Sequence, residues 1–334
     1  MSEQTVLVTG GAGYVGCVLV PKLLARGHRV TAYDAMLYGG DGLQKHPRLT
    51  VIEADIRDTV RLSTALAGVD AVIHLACISN DPSFDLDSGL SKSVNFDCFE
   101  PMVVAAKTAG VKRFIYASTS SVYGVSDAPE VTEDHPLIPL TDYNKYKGLC
   151  EPLLLKHQAK NFTTVIIRPA TICGYSPRTR LDLSVNILTN LAVNKGVITV
   201  FGGSQKRPNI HIEDISDLYV QLLDEPAEKI AGKTWNAGYQ NHAITELAKM
   251  VRDVVAREFP ERPAIRIETS PTDDLRSYHV SSAKIARELG YKPRRTVEDA
   301  IVDLCRAFKA GKLPGSLTDT RYFNVKRMKE VAFR

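Results

Sequence analysis

Short apolar runs alternate with stretches of helical periodicity through the first half of the chain. Residues 5–9 (Thr-Val-Leu-Val-Thr) form a compact apolar run ending in glycines, the pattern of a strand buried on both faces. Residues 14–26 carry apolar side chains at helical spacing, and Gly27 follows as a stop. The same reading predicts strands at 29–34, 49–54 and 71–76, a long helix over 89–109 closed by Gly110, and a strand at 113–118. A helix over 143–158 and a strand at 163–168 complete this half. Strands separated by helices need crossover connections, so the fold class is α/β with a doubly wound, mostly parallel sheet.

Beyond Arg168 the rhythm changes. Pro169, Pro177 and Pro208 punctuate the chain, and the helical stretches shorten, with one at 282–289 stopped by Gly290. Residues 209–212 and 234–237 read as further strands of the first sheet. The expected organisation is a sheet domain of residues 1–168, to which 209–243 returns. A smaller interleaved lobe of 169–208 and 244–334 lies over the carboxyl ends of the strands.

Composition narrows the function. With 334 residues, 44% hydrophobic and 24% charged, the chain is neither disordered nor fibrous. Forty-two Lys and Arg against 38 Asp and Glu leave a net charge of +4. The one basic block, 321–334, reads as a solvated terminus, so no nucleic-acid partner is expected. No run approaches the roughly 20 apolar residues of a membrane span. Residues 1–4 lack the positive head and apolar run of a signal peptide, which sets the expectation of a cytoplasmic protein with no membrane partner. Six scattered cysteines and eight dispersed histidines point to reduced thiols and no metal site.

Gly10-Gly11-Ala12-Gly13-Tyr14-Val15-Gly16 lies at the first strand-to-helix turn. Glycines there let the backbone turn sharply and approach a pyrophosphate, which the N–H groups opening the helix then meet. Asp34 ends the second strand 18 residues past Gly16, where a carboxylate accepts from the adenosine ribose hydroxyls and repels a 2′-phosphate. Ala35, Met36 and Leu37 follow, with no Arg to pair such a phosphate, so NAD is favoured over NADP. The sheet domain thus reads as a Rossmann domain. Asp55 and Ile56 are candidates for the adenine edge and face, and Leu75, Ala76 and Cys77 for the place where a dinucleotide crosses the sheet. Gly10, Gly13, Tyr14, Val15, Gly16 and Pro169 complete the cofactor candidates.

Tyr143 and Lys147 stand four apart on a predicted helix, and so on one face. A free phenol has a pKa near ~10. A neighbouring ammonium, helped by a positive nicotinamide ring, favours the phenolate and lets it take a proton from an alcohol. Tyr322 and Lys326 share the spacing, but only Tyr143 is preceded by a strand ending in hydroxyls, Tyr116-Ala117-Ser118-Thr119-Ser120-Ser121-Val122-Tyr123-Gly124. Gly232-Lys233-Thr234 lacks the upstream glycine of a P-loop, where Ala227 stands, and His211 reads as a buried, hydrogen-bonded strand residue.

Together the glycine loop, the Ser-Thr-Ser-Ser-Val-Tyr-Gly run and Tyr143/Lys147 resemble the extended short-chain dehydrogenase/reductase family, in its nucleotide-sugar epimerase and dehydratase branch. Later blocks resemble it too: 207–214, 274–278 and 287–293. The resemblance implies that Thr119 is the hydroxyl catalyst, Tyr143 the base and Lys147 the holder of the nicotinamide ribose. It also implies that Arg207, Arg276 and Asn186 approach the substrate's nucleotide diphosphate, and that the protein is a homodimer. Sugar dehydratases of the family carry Asp-Glu after the threonine, and decarboxylating members a Glu two places on; here Ser120 and Ser121 stand there. Thr171 and Pro271 replace a family Asn and Arg, and 175–182 resembles a subgroup acting on less common sugars, heptoses included. The expected activity is an NAD-dependent nucleotide-sugar 4-epimerase working through a transient 4-keto sugar. Its rivals are a net 4-dehydrogenase or reductase, including one for a GDP-heptose-like substrate, and a non-catalytic nucleotide-binding regulator.

Overall fold

A computed structural model describes residues 3–126, 128–272, 277 and 279–333. Its strands are β1 (Thr5–Thr9), β2 (Arg29–Asp34), β3 (Leu49–Glu53), β4 (Ala71–His74), β5 (Arg113–Ala117), β6 (Thr163–Pro169), β7 (Thr171–Cys173), β8 (Val197–Phe201), β9 (Lys206–His211), β10 (Lys233–Ala237), β11 (Gln240–Ala243) and β12 (Arg266–Ser270). Seven of them form one sheet in the order β10-β6-β5-β4-β1-β2-β3, with every pairing parallel. The order reverses at β1, which lies between β2 and β4. A crevice opens at the carboxyl ends of the strands at such a switch point.

Strand periodicity explains the two packed layers. Val6 and Val8 face one side, with Leu19 and Leu23 of the Gly16–Ala25 helix, while Leu7 faces the other, with Val72 and Phe114. All of these side chains are buried, which is why β1 reads as a continuous apolar run rather than an alternating one.

The smaller lobe has its own core. The helices Ser184–Lys195, Ile244–Glu258 and Val297–Lys309 pack around Val185, Val200, Leu247, Val251 and Ile301. Two small sheets accompany them, β11-β9-β7 and β12-β8. This corrects the expectation for 209–212. Residues 206–211 pair with β7 and β11 and not with the large sheet, and Ile212 begins a helix. The edge of β6 is already taken by β10, Lys233 facing Val165 through Ala237 facing Pro169. The expected strand at 234–237 is this β10.

The helix expected over 89–109 is broken. A π-turn, Ser93–Asp97, interrupts it between Ser88–Lys92 and Phe99–Thr108. Its Asn95 accepts from the Ile78 amide (2.8 Å) and donates to the Ile78 carbonyl (2.9 Å), pinning the segment that follows β4.

His74, at the end of β4, sits among Phe99, Phe114 and Tyr116, with the Thr9 hydroxyl 2.6 Å from its Nδ1. Burial, reinforced by Lys147, drives its pKa down to about 3. An unfolded histidine titrates near ~6.5, so its contribution to stability is complete above that pH. That contribution is lost as pH falls toward 3, at about 1.4 kcal/mol per unit. Denaturant unfolding of wild type and His74→Asn is expected to show the gap between them shrinking by about 3 kcal/mol from pH 7 to pH 4. A gap independent of pH would contradict a neutral buried imidazole.

Candidate active site

The glycine turn is built by steric necessity. Gly10 has φ +70°, and its carbonyl accepts from the Gly13 amide at 3.0 Å. A Cβ on Gly10 would lie 2.8 Å from the Ala76 amide, and one on Gly16 would lie 2.4 Å from the carbonyl oxygens of both Gly10 and Gly11. The turn is thus folded tightly on itself and pressed against the end of β4, with the N-terminus of the Gly16–Ala25 helix open to the crevice. Tyr14 ties it to the smaller lobe. Its hydroxyl donates to the Gly174 carbonyl (2.6 Å), and its own carbonyl accepts from Ser176 (2.7 Å).

Asp34 accepts from the Ala12 (3.0 Å) and Met36 (2.9 Å) amides, so it shapes the loop as well as facing the crevice. Burial raises its pKa, against the pull of the two amides and Arg178. A carboxylate has about four acceptor positions, which leaves room for a ribose diol. Burial likewise favours the neutral form of Asp55, but a fork from Arg57 outweighs it and holds the carboxyl below its usual range.

At the other end of the crevice, Thr119 stands two residues past the end of β5 and caps the short Ser120–Tyr123 turn, its Oγ1 accepting from the Ser121 amide (3.2 Å). The neighbouring Ser118 donates to the buried Glu151 carboxylate (2.6 Å), which also takes the Arg168 fork (3.0 and 2.6 Å). This buried cluster fixes the end of β5 against β6 and the Asp142–Leu155 helix. Tyr143 lies in the first turn of that helix and Lys147 one turn on. Lys147 is 3% exposed; it donates to the Ala117 carbonyl and lies 4.6 Å over the Tyr116 ring.

These residues meet in one cleft of about 420 Å³. Gly10, Gly13, Tyr14, Val15, Gly16, Asp34, Asp55, Ile56, Leu75, Ala76, Cys77, Thr119, Tyr143, Lys147, Pro169 and Arg207 all line it. Arg276 lies outside the described residues. Asn186 is a correction: it is fully buried and does not reach the cleft. Its carboxamide oxygen accepts from the Gly174 amide (3.0 Å), and its nitrogen donates to the Arg180 carbonyl (2.8 Å) and the Tyr14 hydroxyl (3.0 Å). No hydrogen remains for a ligand, so Asn186 is a tie between the glycine turn and the smaller lobe.

Sequence reasoning did not assign Arg178, Arg180 and Asp182, which line the cleft from the smaller lobe. Their spacing of two, which puts alternate side chains of an extended segment on one side, was the available signal. Arg180 pairs with Asp182 (2.9 Å) and donates to Ser79 (3.0 Å). Arg178 rests on the Tyr38 ring (3.7 Å) and donates to the neutral Asn324 amide oxygen (2.8 Å). Its Nε has no hydrogen-bond partner among the described residues. Burial lowers its pKa to about 10, which leaves it a cation at neutral pH. A glycine cradle at a helix N-terminus, with a buried and incompletely satisfied guanidinium facing the same cleft, fits the diphosphate of a dinucleotide.

Among the described residues, no cluster of three His, Cys, Asp or Glu side chains forms a metal site, and no helix is long and apolar enough to cross a membrane.

Comparison with known proteins identifies the family and the fold. The model of the NAD dependent epimerase/dehydratase family matches residues 6–238. The chain is 27% identical to a UDP-glucose 4-epimerase of Lactobacillus helveticus, over 89% of this chain and 94% of that protein. It is 28% identical to a dTDP-glucose 4,6-dehydratase of Streptomyces griseus, over 88% and 91%. In fold it is similar to DesIV, a dTDP-glucose 4,6-dehydratase from Streptomyces venezuelae solved with NAD and TYD, with a TM-score of 0.81 and 24% identity, over 92% of this chain and 98% of that one. The chain belongs to the NAD dependent epimerase/dehydratase family, with NAD as its cofactor.

Proposed function

We propose that this enzyme is a nucleotide-sugar 4-epimerase that oxidises the C4 hydroxyl and reduces the resulting ketone from its other face. When bound, NAD supplies the acceptor and donor of hydride. Tyr143 takes the hydroxyl proton and later returns it, Thr119 bridges the alcohol to the phenol, and Lys147 favours the phenolate and holds the nicotinamide ribose. Arg207, on the cleft wall, is assigned to the substrate diphosphate.

The observation that carries the reading is the pair of serines after Thr119, where no carboxyl stands to shuttle a proton. Eliminating water needs a carboxyl beside the sugar that can shuttle a proton. Asp34 is bonded to two loop amides, Asp55 to Arg57, Asp81 to the Thr141 hydroxyl (2.5 Å) and Asp182 to Arg180. Ser120 and Ser121 follow Thr119, where the dehydratases that the sequence resembles carry Asp-Glu. With NAD as the hydride acceptor and donor, oxidation and return of a hydride would need from the protein only the Thr119 hydroxyl, the Tyr143 phenol and the Lys147 ammonium.

The test is to purify the protein, assay its NAD content and supply nucleotide sugars without reductant. An epimer should form while NADH stays at trace level. NADH accumulating with a keto sugar would establish the net dehydrogenase instead, and no turnover of any sugar the regulator.

A homodimer is part of the proposal. Leu149 on the Asp142–Leu155 helix, Val104 on the Phe99–Thr108 helix, and Ile138 and Leu140 just before the former expose apolar surface that supports it. Sedimentation should give twice the 36.7 kDa chain mass, and a 36.7 kDa species at micromolar concentration would contradict it.

A further inference from the structure

We propose that the C-terminal segment 319–333 is part of the cofactor site, covering the adenosine half of the cleft and setting the rate at which NAD leaves. Two of its side chains, Asn324 and Phe333, line the same cleft as Asp34 and Ile56. Phe333 packs against the core layer that contains Ile56 and Tyr33, with the Arg57 guanidinium 5.8 Å from its ring centre. That guanidinium is the one forked onto Asp55. An apolar wall at Ile56 and an aromatic ring at Phe333 therefore belong to the same stretch, a pair of surfaces suited to the faces of a purine.

The segment is anchored to both sides of the cleft. On the sheet side, Arg327 Nε donates to the Leu37 carbonyl (2.8 Å), and Asn324 Nδ2 to the Ser79 hydroxyl (2.9 Å). On the smaller-lobe side, the Asn324 amide donates to Asp182 (3.0 Å), and its Oδ1 accepts from Arg178 (2.8 Å). Met328, from the Asn324–Val331 helix, is buried in the sheet-domain core. Leu37 directly follows the Asp34–Met36 turn, so Arg327 grips the loop that presents the ribose-binding carboxylate. Among the described residues, Met328 and Phe333 are the apolar side chains by which it meets the sheet-domain core.

The proposal rests on the adenosine half lying at Asp34, Asp55 and Ile56; it does not depend on which sugar reaction follows. Release of NADH is measured by stopped-flow fluorescence on displacement by excess NAD. Phe333→Ala removes no hydrogen bond, and Arg327→Ala removes the grip on Leu37. Each is expected to speed release about tenfold or more, with the cofactor-free protein still folded by circular dichroism. Lys329→Ala, on the exposed side of the helix, should release NADH at the wild-type rate. Release at wild-type rates from both Phe333→Ala and Arg327→Ala, while Gly16→Ala blocks binding, overturns the role of the tail and leaves the cleft assignment standing. Wild-type binding by Gly16→Ala overturns the cleft assignment itself.

Discussion

Tyr143→Phe is expected to lower turnover on the order of a thousandfold while leaving NAD bound, because it removes one oxygen and little else. The half-buried ring stays beside Phe84, 6.5 Å between centres, so the first turn of its helix keeps its packing. Lys147 remains tethered to the Ala117 carbonyl. What disappears is the group that carries the hydroxyl proton away and back. Steady-state assays by product NMR, with an NADH titration alongside, separate the two effects. Full activity in the variant would remove Tyr143 from the chemistry, and loss of NADH binding would make its role structural.

Gly16→Ala should cost at least a hundredfold in NAD affinity. The added methyl would lie 2.4 Å from two carbonyl oxygens, both backbone, so no side chain can swing aside to admit it. The turn must open, and with it go the close approach to Ala76 and the alignment of the helix N–H groups. Overpacking of this kind also destabilises a fold, typically by about 1–3 kcal/mol. Isothermal titration with NAD and thermal unfolding without it read the two consequences. Unchanged affinity would mean that the glycine turn is merely tight and holds no diphosphate.

The large sheet was legible because β1 and β4–β6 are largely buried on both faces, and Gly27 and Gly110, with φ of +93° and +85°, mark where helices stop. The glycine turn and Tyr143/Lys147 were legible because their chemistry is local: each works within one turn of one element. What escaped depends on distant partners. Residues 209–212 read as a strand, but which sheet they join depends on distant partners: β10 holds the edge of β6, and 206–211 pair with β7 and β11. The π-turn at 93–97 follows from Asn95 reaching Ile78, which apolar spacing does not encode. Asn186 entered as a ligand only through the family resemblance, and its burial and hydrogen bonds make it a tie instead. The C-terminal segment offers only the Tyr322/Lys326 spacing and a run of basic residues, neither of which points to the cleft. Its place on the cleft wall comes from Asn324 and Arg327 meeting groups some 140 to 290 positions away.

The most direct test is incubation of the NAD-loaded protein in deuterium oxide with UDP-, GDP-, CDP- and dTDP-sugars, followed by NMR of the products. Hydride that leaves C4 and returns to the same carbon never meets solvent. The account therefore predicts a C4 epimer with no deuterium on its ring carbons. A product that has lost water, or an epimer carrying deuterium at a ring carbon, would contradict it.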